Sequence, residues 1–470
     1  MSFQPVLLWS DVLLFVLIAV ILALVLWARR QDALRAAWSR VARNGVAMAA
    51  ATVLAAFVLV GLLDSLHYRA RLDNVPGAQA GAAGVATARY AVEVNSVLDA
   101  LLSGLRQRAE KTYSAPLATH LYAKEALENS TQREFPRLKH GGTHLGENLA
   151  GHEFDVAIRL SRGVAGGLVL WLLLVTAWCR ASGLELLVTL KSVVGGPVAG
   201  AAIGAVFMTL LGILLLSGVA ISLGGGYHVF GTDKVGQDVL YLSLKAIRTG
   251  LLIGTLTTLV MLPVAVLLGI LAGYVGGWVD DVIQYLYTTL SSIPGVLLIA
   301  AAVLMMQVVI DTHPDWFATS AERADARLLA LCLILGMTSW TGVARLLRGE
   351  TLKLRELEFV QAAQAFGVGR FAIMRRHILP NLMHIVLIAL VMDFSGLVLA
   401  EAVLSYVGVG VDPTTISFGT MINTARMELA REPMVWWSLL AAFGFMFVLV
   451  LAANLFADAV RDAFDPRSSG

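Results

Sequence analysis

Two carboxylates lie within one long apolar run near the end of the chain, where a charge is costly. Asp393 and Glu401 are eight residues apart, which places them about two helical turns from each other on nearly the same helix face. A charged group inside a bilayer costs roughly 2.5 to 3.5 kcal/mol on insertion scales and usually faces a bundle interior or water. These carboxylates could line a solute path and meet charged groups of the solute, carry protons in an ion-driven carrier, or pin helix contacts through hydrogen bonds.

One cluster in the sequence has the composition of a metal site: His140, His144, His152, Glu147, Glu153 and Asp155. His140 and His144 have the spacing of two ligands on one helix face, but Gly141 and Gly142 between them argue against a helix. We therefore expect no metal here.

The sequence has no pattern typical of an enzyme. No serine, lysine or cysteine has the partner pattern of a nucleophile, and HExxH is absent. No lysine follows a glycine, so the GxxxxGK[ST] phosphate-binding loop is absent as well. We predict a chain that is not an enzyme and has no cofactor of its own.

Two pairs of aspartates lie outside the apolar runs. Asp233 and Asp238 have a spacing that fits no EF-hand loop, so we expect them to order the chain through turns and caps rather than bind a cation. Asp280 and Asp281 are predicted on a short cytoplasmic loop, paired with basic residues nearby or with a partner protein.

The composition predicts a membrane protein. The 470 residues are 58% hydrophobic and 14% charged, whereas an average soluble domain carries about 25% charged residues. The net charge of +2 gives no reason to expect a nucleic-acid partner. Cys179 and Cys332 lie in apolar runs and predict no disulfide framework.

Nine segments are long and apolar enough to cross a bilayer core of about 30 Å, which takes roughly 20 helical residues. We expect an all-α polytopic bundle, because lipid offers no partner for loose backbone groups. The predicted spans are Val6–Trp27, Gly45–Leu66, Gly163–Cys179, Pro197–Leu223, Gly250–Tyr274, Pro294–Val309, Leu328–Leu347, Asn381–Val409 and Met434–Ala457.

Basic residues concentrate in two loops, and short loops rich in Lys and Arg stay cytoplasmic. The first loop has Arg29, Arg30, Arg35, Arg40 and Arg43, and the second has Arg348, Lys353, Arg355, Arg370, Arg375 and Arg376. Nine alternating spans put both loops on one side of the membrane. This predicts an N-terminus outside and a C-terminus in the cytoplasm.

These features divide the chain into four parts. We expect two membrane helices with a basic loop in residues 1–66, an extracytoplasmic insert in 67–160, an additional helix pair in 161–225 and a functional core in 226–470. Within the insert, Gly77–Ala86 is rich in alanine and glycine and predicted to be irregular. One amphipathic helix is predicted from Val94, Val97, Leu98, Leu101, Leu102 and Leu105.

The cytoplasmic segment from Arg345 to Pro380 is too long and too patterned for a simple connector. Gly367 and Gly369 can end a first helix, a basic second helix runs to His377, and Pro380 opens the next span. The residues expected to share one face of the first helix are Leu357, Val360, Ala363 and Gln364.

Small residues in that first helix indicate how it could be used. Ala362 and Ala363 would let the helix settle into a groove of a partner protein, and Gly367 permits a sharp turn out of it. The alternative is a hairpin in the headgroup region with its arginines on anionic lipid.

The stretch QAAQAFGVGRFAIMRRHILP resembles the coupling loop of ATP-binding cassette (ABC) importer permeases, in which EAA is followed at fixed spacings by Gly, Ile and LP. Here Gln361 stands in place of the Glu and His377 in place of the Ile. The resemblance implies that this segment docks on an ATP-binding subunit. The residues expected to couple to that subunit are Glu358, Gln361, Ala362, Ala363, Gly367, Arg370, Leu379 and Pro380.

A second stretch, Val229–Gly254, resembles the GTDxxGxDVL signature of dipeptide and oligopeptide permeases, with Gln237 where the family commonly has Arg. Segments Gly273–Gly295, Asp393–Val411 and Asn454–Arg467 are similar to the second permease subunit of the same family. Pathway or gate candidates are therefore Asp393, Glu401, Gly231, Thr232, Asp233 and Asp238.

The resemblance implies an inner-membrane permease that forms half of a peptide pathway, with a six-span core. The implied partners are a second permease, two ATP-binding subunits that hold ATP and Mg, a periplasmic solute-binding protein and membrane lipid. Two alternatives stay open: a secondary transporter driven by an ion gradient, and ABC uptake of nickel or another small solute.

Overall fold

The computed structural model describes residues 3–28, 32–71, 90–126, 133–146, 151–183, 202–317 and 319–464. Its α-helices are α1 (Trp9–Ala28), α2 (Asp32–Arg43), α3 (Gly45–Ser65), α4 (Val97–Leu101), α5 (Ser103–Arg106), α6 (His152–Ser182), α7 (Ile203–Gly224), α8 (Val239–Val275), α9 (Gly277–Ser292), α10 (Gly295–Thr312), α11 (Ser320–Ser339), α12 (Thr341–Arg355), α13 (Glu358–Ala365), α14 (Arg370–Ile373), α15 (Leu379–Val407), α16 (Phe418–Leu429) and α17 (Trp437–Phe464). Short 3₁₀ turns cover Thr143–Leu145 and Pro314–Trp316, and a π turn covers Met374–Ile378.

The strands are short and lie near the ends of the first helices. β1 (Phe3–Val6), β2 (His67–Ala70) and β3 (Asn95–Ser96) form an antiparallel sheet in that order. β4 (Glu125–Ala126) and β5 (Arg133–Glu134) form a second antiparallel pair. The start of the chain is thereby joined to the insert.

Eight helices of the described residues are long and apolar enough to span a membrane, and α1 adds a shorter apolar stretch, Trp9–Val20. Each of the nine predicted spans overlaps one of these helices, so the all-α polytopic fold is confirmed; residues 197–201 of the predicted Pro197–Leu223 lie outside the described residues. Several spans are longer than predicted. Helix α6 begins at His152, inside the predicted insert, and not at Gly163. Helix α11 continues into α12 over Ser320–Arg355, and α14 continues into α15 over Arg370–Val407.

Helix α8 is the centre of the bundle. It contributes buried residues to three separate apolar clusters: Val239 and Leu242 near its N-terminal end, Leu252 and Leu256 in its middle, and Ala265 in its C-terminal half. Helices α3, α11, α12 and α15 pack around it. Pro263 interrupts its hydrogen-bond ladder, because proline has no N–H to donate.

The predicted start of this central span, Gly250, was wrong, because α8 begins at Val239. The predicted span left out Lys245 and Arg248, which precede Gly250. The structure neutralises both: the Lys245 ammonium lies 2.8 Å from Asp99 Oδ1 and 3.1 Å from Asp64 Oδ1, and Arg248 Nη2 lies 2.6 Å from Asp11 Oδ1. The carboxylates come from α1, α3 and α4, all outside the predicted core.

The insert differs from the predicted single amphipathic helix. Ser96 and Asp99 form a capping box that starts α4 at Val97, and the chain leaves helical geometry at Leu102 before α5 begins. As a result Leu98 is buried while Leu101 is 65% exposed, so the two do not share a buried face. The predicted irregular segment Gly77–Ala86 lies outside the described residues.

Helices α6 and α7 pack closely through glycines, as small residues allow in membranes. A Cβ atom at Gly163 would lie 2.7 Å from the Gly218 carbonyl oxygen, and one at Gly167 would lie 2.7 Å from the Leu214 carbonyl oxygen. The pair then packs through α7 on α3.

Gly163 and Gly166 therefore provide a matched test of this helix pair. Gly163→Ala should lower the stability by about 1–3 kcal/mol, because its methyl group would meet backbone of α7. Gly166→Ala, which meets nothing within 4 Å, should leave stability unchanged or raise it by up to about 1 kcal/mol. Thermal unfolding of the purified chain in detergent measures both, and equal melting temperatures would contradict the close packing.

Candidate functional site

The predicted coupling segment folds as a short helix seated against the core. Val360 of α13 is fully buried, Ala363 packs beside it, and the Gln364 side-chain amide donates to the Tyr274 hydroxyl at 3.1 Å. Leu357 was predicted on this buried face, but it precedes the helix as its N-cap and is exposed. One side of α13 is thus fixed to the bundle.

Gly367 ends this helix as the sequence predicted. Its φ of +77° lies in the left-handed region, where a side chain would be strained. The Val368 N–H then donates back to the Ala363 carbonyl at 3.1 Å. This turn sends the chain away from the core and into α14.

The second helix is not separate from the following span, which corrects the predicted break at His377. The chain runs from α14 through the π turn Met374–Ile378 into α15, with Pro380 in the first turn of α15. Ile373 and Ile378 are fully buried and anchor this passage. The coupling segment is therefore held at both ends by buried aliphatic side chains.

The opposite side of the segment is an exposed surface, here named the coupling patch. Phe366 is 88% exposed and Phe371 is 71% exposed, both unusually high for phenylalanine. Around them lie the exposed residues Glu358, Phe359, Gln361, Ala362, Arg370, Arg375 and Arg376. Apolar rings rimmed by polar and basic groups are typical of a protein-binding surface.

Helix α9 supports the coupling segment from the side. Arg348 donates through Nε and Nη2 to the two carboxylate oxygens of Asp280 at 2.6 and 2.7 Å, and this hydrogen bonding lowers the pKa of Asp280. The predicted pairing of Asp280 with a basic residue is confirmed, but Asp280 lies on a helix and not on a loop. The Asp281 side chain is exposed.

At the other end of α8, the predicted signature residues order the chain. Asp238 Oδ1 accepts from the backbone N–H of Leu240 and Tyr241 at 2.9 and 3.3 Å and so caps α8. Asp233 Oδ1 accepts from the N–H groups of Val235 and Gln237. The capping and turn roles predicted for these two aspartates are confirmed.

The insert covers residues 228–238, here named the outer segment after the extracytoplasmic side on which the sequence predicts it. Thr232 N–H donates to the Ser114 carbonyl at 3.1 Å, Ser114 N–H donates to Thr232 Oγ1 at 2.7 Å, and Glu110 N–H donates to the Gly236 carbonyl at 2.9 Å. Gly231 has φ +70°, and a Cβ there would lie 2.4 Å from the Ser114 carbonyl oxygen. The insert thus forms hydrogen bonds with the backbone of Thr232 and Gly236.

A buried charge cluster joins the same two parts. His228 lies with Nδ1 2.8 Å from Asp238 Oδ2 and Nε2 3.3 Å from Glu110 Oε1. Burial alone would lower the pKa of His228, but the two carboxylates raise it to about 9. Burial would likewise raise the pKa of Glu110, but His228 and the N–H groups of Lys139 and His140 lower it to about 2.

The comparisons with known proteins decide the family. Residues 265–470 match the model of the binding-protein-dependent transport system inner membrane component. The chain is 31% identical over 244 residues to the oligopeptide transport system permease protein OppC of Mycobacterium tuberculosis (strain ATCC 25618 / H37Rv), covering 52% of this chain and 77% of the relative. This chain belongs to the family of binding-protein-dependent permeases.

Two further relatives support the assignment. The permease is 31% identical over 242 residues to the dipeptide transport system permease protein DppC of Lactococcus lactis subsp. cremoris, covering 52% of this chain and 64% of the relative. It is also 31% identical over 242 residues to the glutathione transport system permease protein GsiD of Pectobacterium atrosepticum, covering 51% and 73%. Family and helices together make it a multi-pass inner-membrane protein.

The two carboxylates of α15 have different environments in the permease. Glu401 is buried and accepts from the hydroxyls of Ser405 and Ser417 at 2.7 and 2.8 Å, which ties α15 to the start of α16. Asp393 Oδ2 is buried and has no hydrogen-bond partner among the described residues. The structure does not bring the two carboxylates together.

Two members of the suspected metal cluster meet, because His144 Nε2 lies 2.7 Å from Asp155 Oδ2, whereas His152 Nε2 lies 3.0 Å from the Leu117 carbonyl oxygen. Where the structure describes the chain, no group of three His, Cys, Asp or Glu side chains has an arrangement that could hold a metal ion. Glu147 lies outside the described residues.

Sequence reasoning missed His228 and Glu110. They are 118 residues apart, and neither belongs to a local pattern that indicates a buried charge. Only the pairing of the insert with the outer segment brings them together.

The cluster predicts a pH dependence of stability. Because the pKa of His228 is raised from an unfolded value of about 6.5 to about 9, its stabilising contribution is complete below about pH 6.5 and is lost as the pH rises to about 9. His228→Gln should melt lower than the parent at pH 6.5, and the difference should shrink by pH 9.5. Exposed His313→Gln is the control, and a difference that does not change with pH would contradict the charged state of His228.

Proposed function

We propose that this permease is a membrane subunit of an ATP-binding cassette importer and forms half of a pathway for peptides. The coupling patch is the observation that carries the proposal, since it is an exposed apolar surface on a rigidly seated helix. The names of the relatives add the solute class, because they are permeases of oligopeptide, dipeptide and glutathione transport systems. Family membership disfavours a secondary transporter.

The packing of α13 supports a coupling role. Val360 and Ala363 belong to the same cluster as Ala265 of α8 and Leu347 of α12. A close-packed cluster transmits displacement because it has little free volume. A partner that moves the coupling patch would therefore move the inner ends of α8 and α12.

The proposed role of each coupling residue follows from its exposure. Phe366, Gln361 and Ala362 face the partner, Ala363 faces the core, and Gly367 makes the turn between α13 and α14. Glu358 and Arg370 are exposed charged residues of the patch, while Leu379 and Pro380 begin α15. The expected partner is an ATP-binding subunit, which would hold ATP and Mg.

The remaining parts of the proposal concern the assembly. Two ATP-binding subunits, a second permease and a periplasmic solute-binding protein would complete the importer. The arginine-rich loops argue for an N-terminus outside and a C-terminus in the cytoplasm. The insert and the outer segment would then face the periplasm.

Asp393 is the proposed contact with solute. Helical spacing places it at the edge of an exposed stripe of α15 made by Met392, Gly396, Leu399, Val403 and Val407. An unpaired carboxylate at the border of such a stripe could meet the ammonium group of a peptide. Thr232 and Asp238 are buried, so the outer segment is proposed as a fixed part of the gate and not as a solute contact.

Removing the most exposed ring tests the coupling patch. Phe366→Ala should reduce co-purification of the ATP-binding subunits and lower peptide uptake at least about tenfold, because anchor residues dominate interface energy. The melting temperature should stay unchanged, since the ring packs on little of the chain. Phe154→Ala, which removes a 72% exposed ring at the start of α6, is the control. Normal uptake with normal co-purification would refute the patch as a docking surface.

The two carboxylates of α15 should respond differently to neutralisation. Asp393→Asn should lower peptide uptake at least about tenfold with little change in melting temperature, because the side chain has no partner to lose. Glu401→Gln should lower the melting temperature, because it weakens two buried hydrogen bonds. Uptake by reconstituted importer and thermal unfolding measure these effects, with exposed Asp315→Asn as control. Full uptake by Asp393→Asn would remove this residue from the pathway.

A further inference from the structure

We propose that α2 is a membrane-surface helix whose arginines bind anionic lipid headgroups. The helix precedes the membrane-spanning helix α3 and carries Arg35, Arg40 and Arg43. This role is separate from the coupling patch and from the identity of the solute.

One face of α2 is fixed to the end of the bundle. Ala37 and Val41 are 4% exposed, and Val41 packs in a cluster with Ala459, Val460 and Ala463 of α17. The Trp38 ring meets the Phe464 ring edge to face, with centroids 5.7 Å apart. These contacts settle which side of α2 is turned to the protein.

The arginines lie on the side that the protein leaves open. The side chains of Arg35, Arg40 and Arg43 are all exposed. Helical spacing puts Arg35 and Arg43 on the side opposite to Ala37 and Val41, and Arg40 at the border of the packed face. Basic side chains next to a membrane-spanning helix are attracted to anionic headgroups. The packed apolar face holds α2 in place, and the basic face is free to meet lipid.

The junction with α3 fixes the depth of α2. Asn44 is extended (φ −80°, ψ 116°) and its side-chain oxygen accepts from the N–H groups of Val46 and Ala47, so α2 ends and α3 begins at this residue. Apolar α3 enters the hydrocarbon region directly after it. Helix α2 must then lie at headgroup level, where a partly exposed tryptophan such as Trp38 is favoured.

The local charge fits an anionic surface. Residues 29–43 contain five arginines and one acidic residue, Asp32. Asp458 of α17 falls by its helical spacing on the side of α17 opposite to Val460 and Phe464, which pack towards α2. Anionic headgroups at the inner leaflet attract such basic segments.

Hydrogen exchange of the full-length chain in nanodiscs tests the proposal without a transport assay. The amides of residues 32–43 should exchange at least about tenfold more slowly in discs with phosphatidylglycerol than in discs of phosphatidylcholine alone. The variant Arg35→Gln/Arg40→Gln/Arg43→Gln should lose this difference. Changing the same three positions to lysine should largely keep it, because the charge is retained.

Two controls distinguish lipid binding by α2 from other causes of a change in amide exchange. Arg133→Gln/Arg137→Gln removes two exposed charges from the insert and should leave the lipid effect intact. Exchange in α17 should be equal in all variants, which shows that the bundle is folded. Equal exchange of residues 32–43 in the two lipids would overturn the proposal, and so would protection that arises only when an ATP-binding subunit is added.

Discussion

Two cations near the N-terminal end of an otherwise apolar helix tie the first helix and the insert to the bundle of this permease. Lys245 and Arg248 of α8 need negative partners, because an unpaired buried charge is strongly destabilising. The partners are Asp99 from α4, Asp64 from α3 and Asp11 from α1. The first helix and the insert are therefore integral to the bundle, although neither belongs to the part that matches the family model.

The half of the permease that contains α13 is organised mainly by apolar packing, with the Arg348–Asp280 ion pair beside it. Helix α13 packs one face on a close-packed apolar cluster and exposes the other to solvent, so it is both rigid and accessible. Glycine at position 367 makes this arrangement possible. Its left-handed backbone conformation would be strained for a residue with a side chain. The proposed coupling surface thus depends on one glycine and on buried Val360, Ile373 and Ile378.

The features that sequence predicted well are local. Nine apolar runs, the cap at Asp238 and the turn at Gly367 each follow from residues that are close in sequence. The start of α8, the split between α4 and α5, and the His228 cluster depend on residues far apart in the chain, such as Lys245 with Asp99. Hydropathy and periodicity contain no information on such pairs. For the same reason, the different environments of Asp393 and Glu401 could not be told apart from their shared helix.

Helix α8 is 37 residues long and extends about 55 Å from its cap at Asp238 to Gly276. It therefore joins the layer covered by the insert to the layer that seats α13. Pro263 removes one backbone hydrogen bond of α8 between these layers. A helix bends most easily where such a bond is missing. A tilt of one end of α8 therefore need not reach the other end in full.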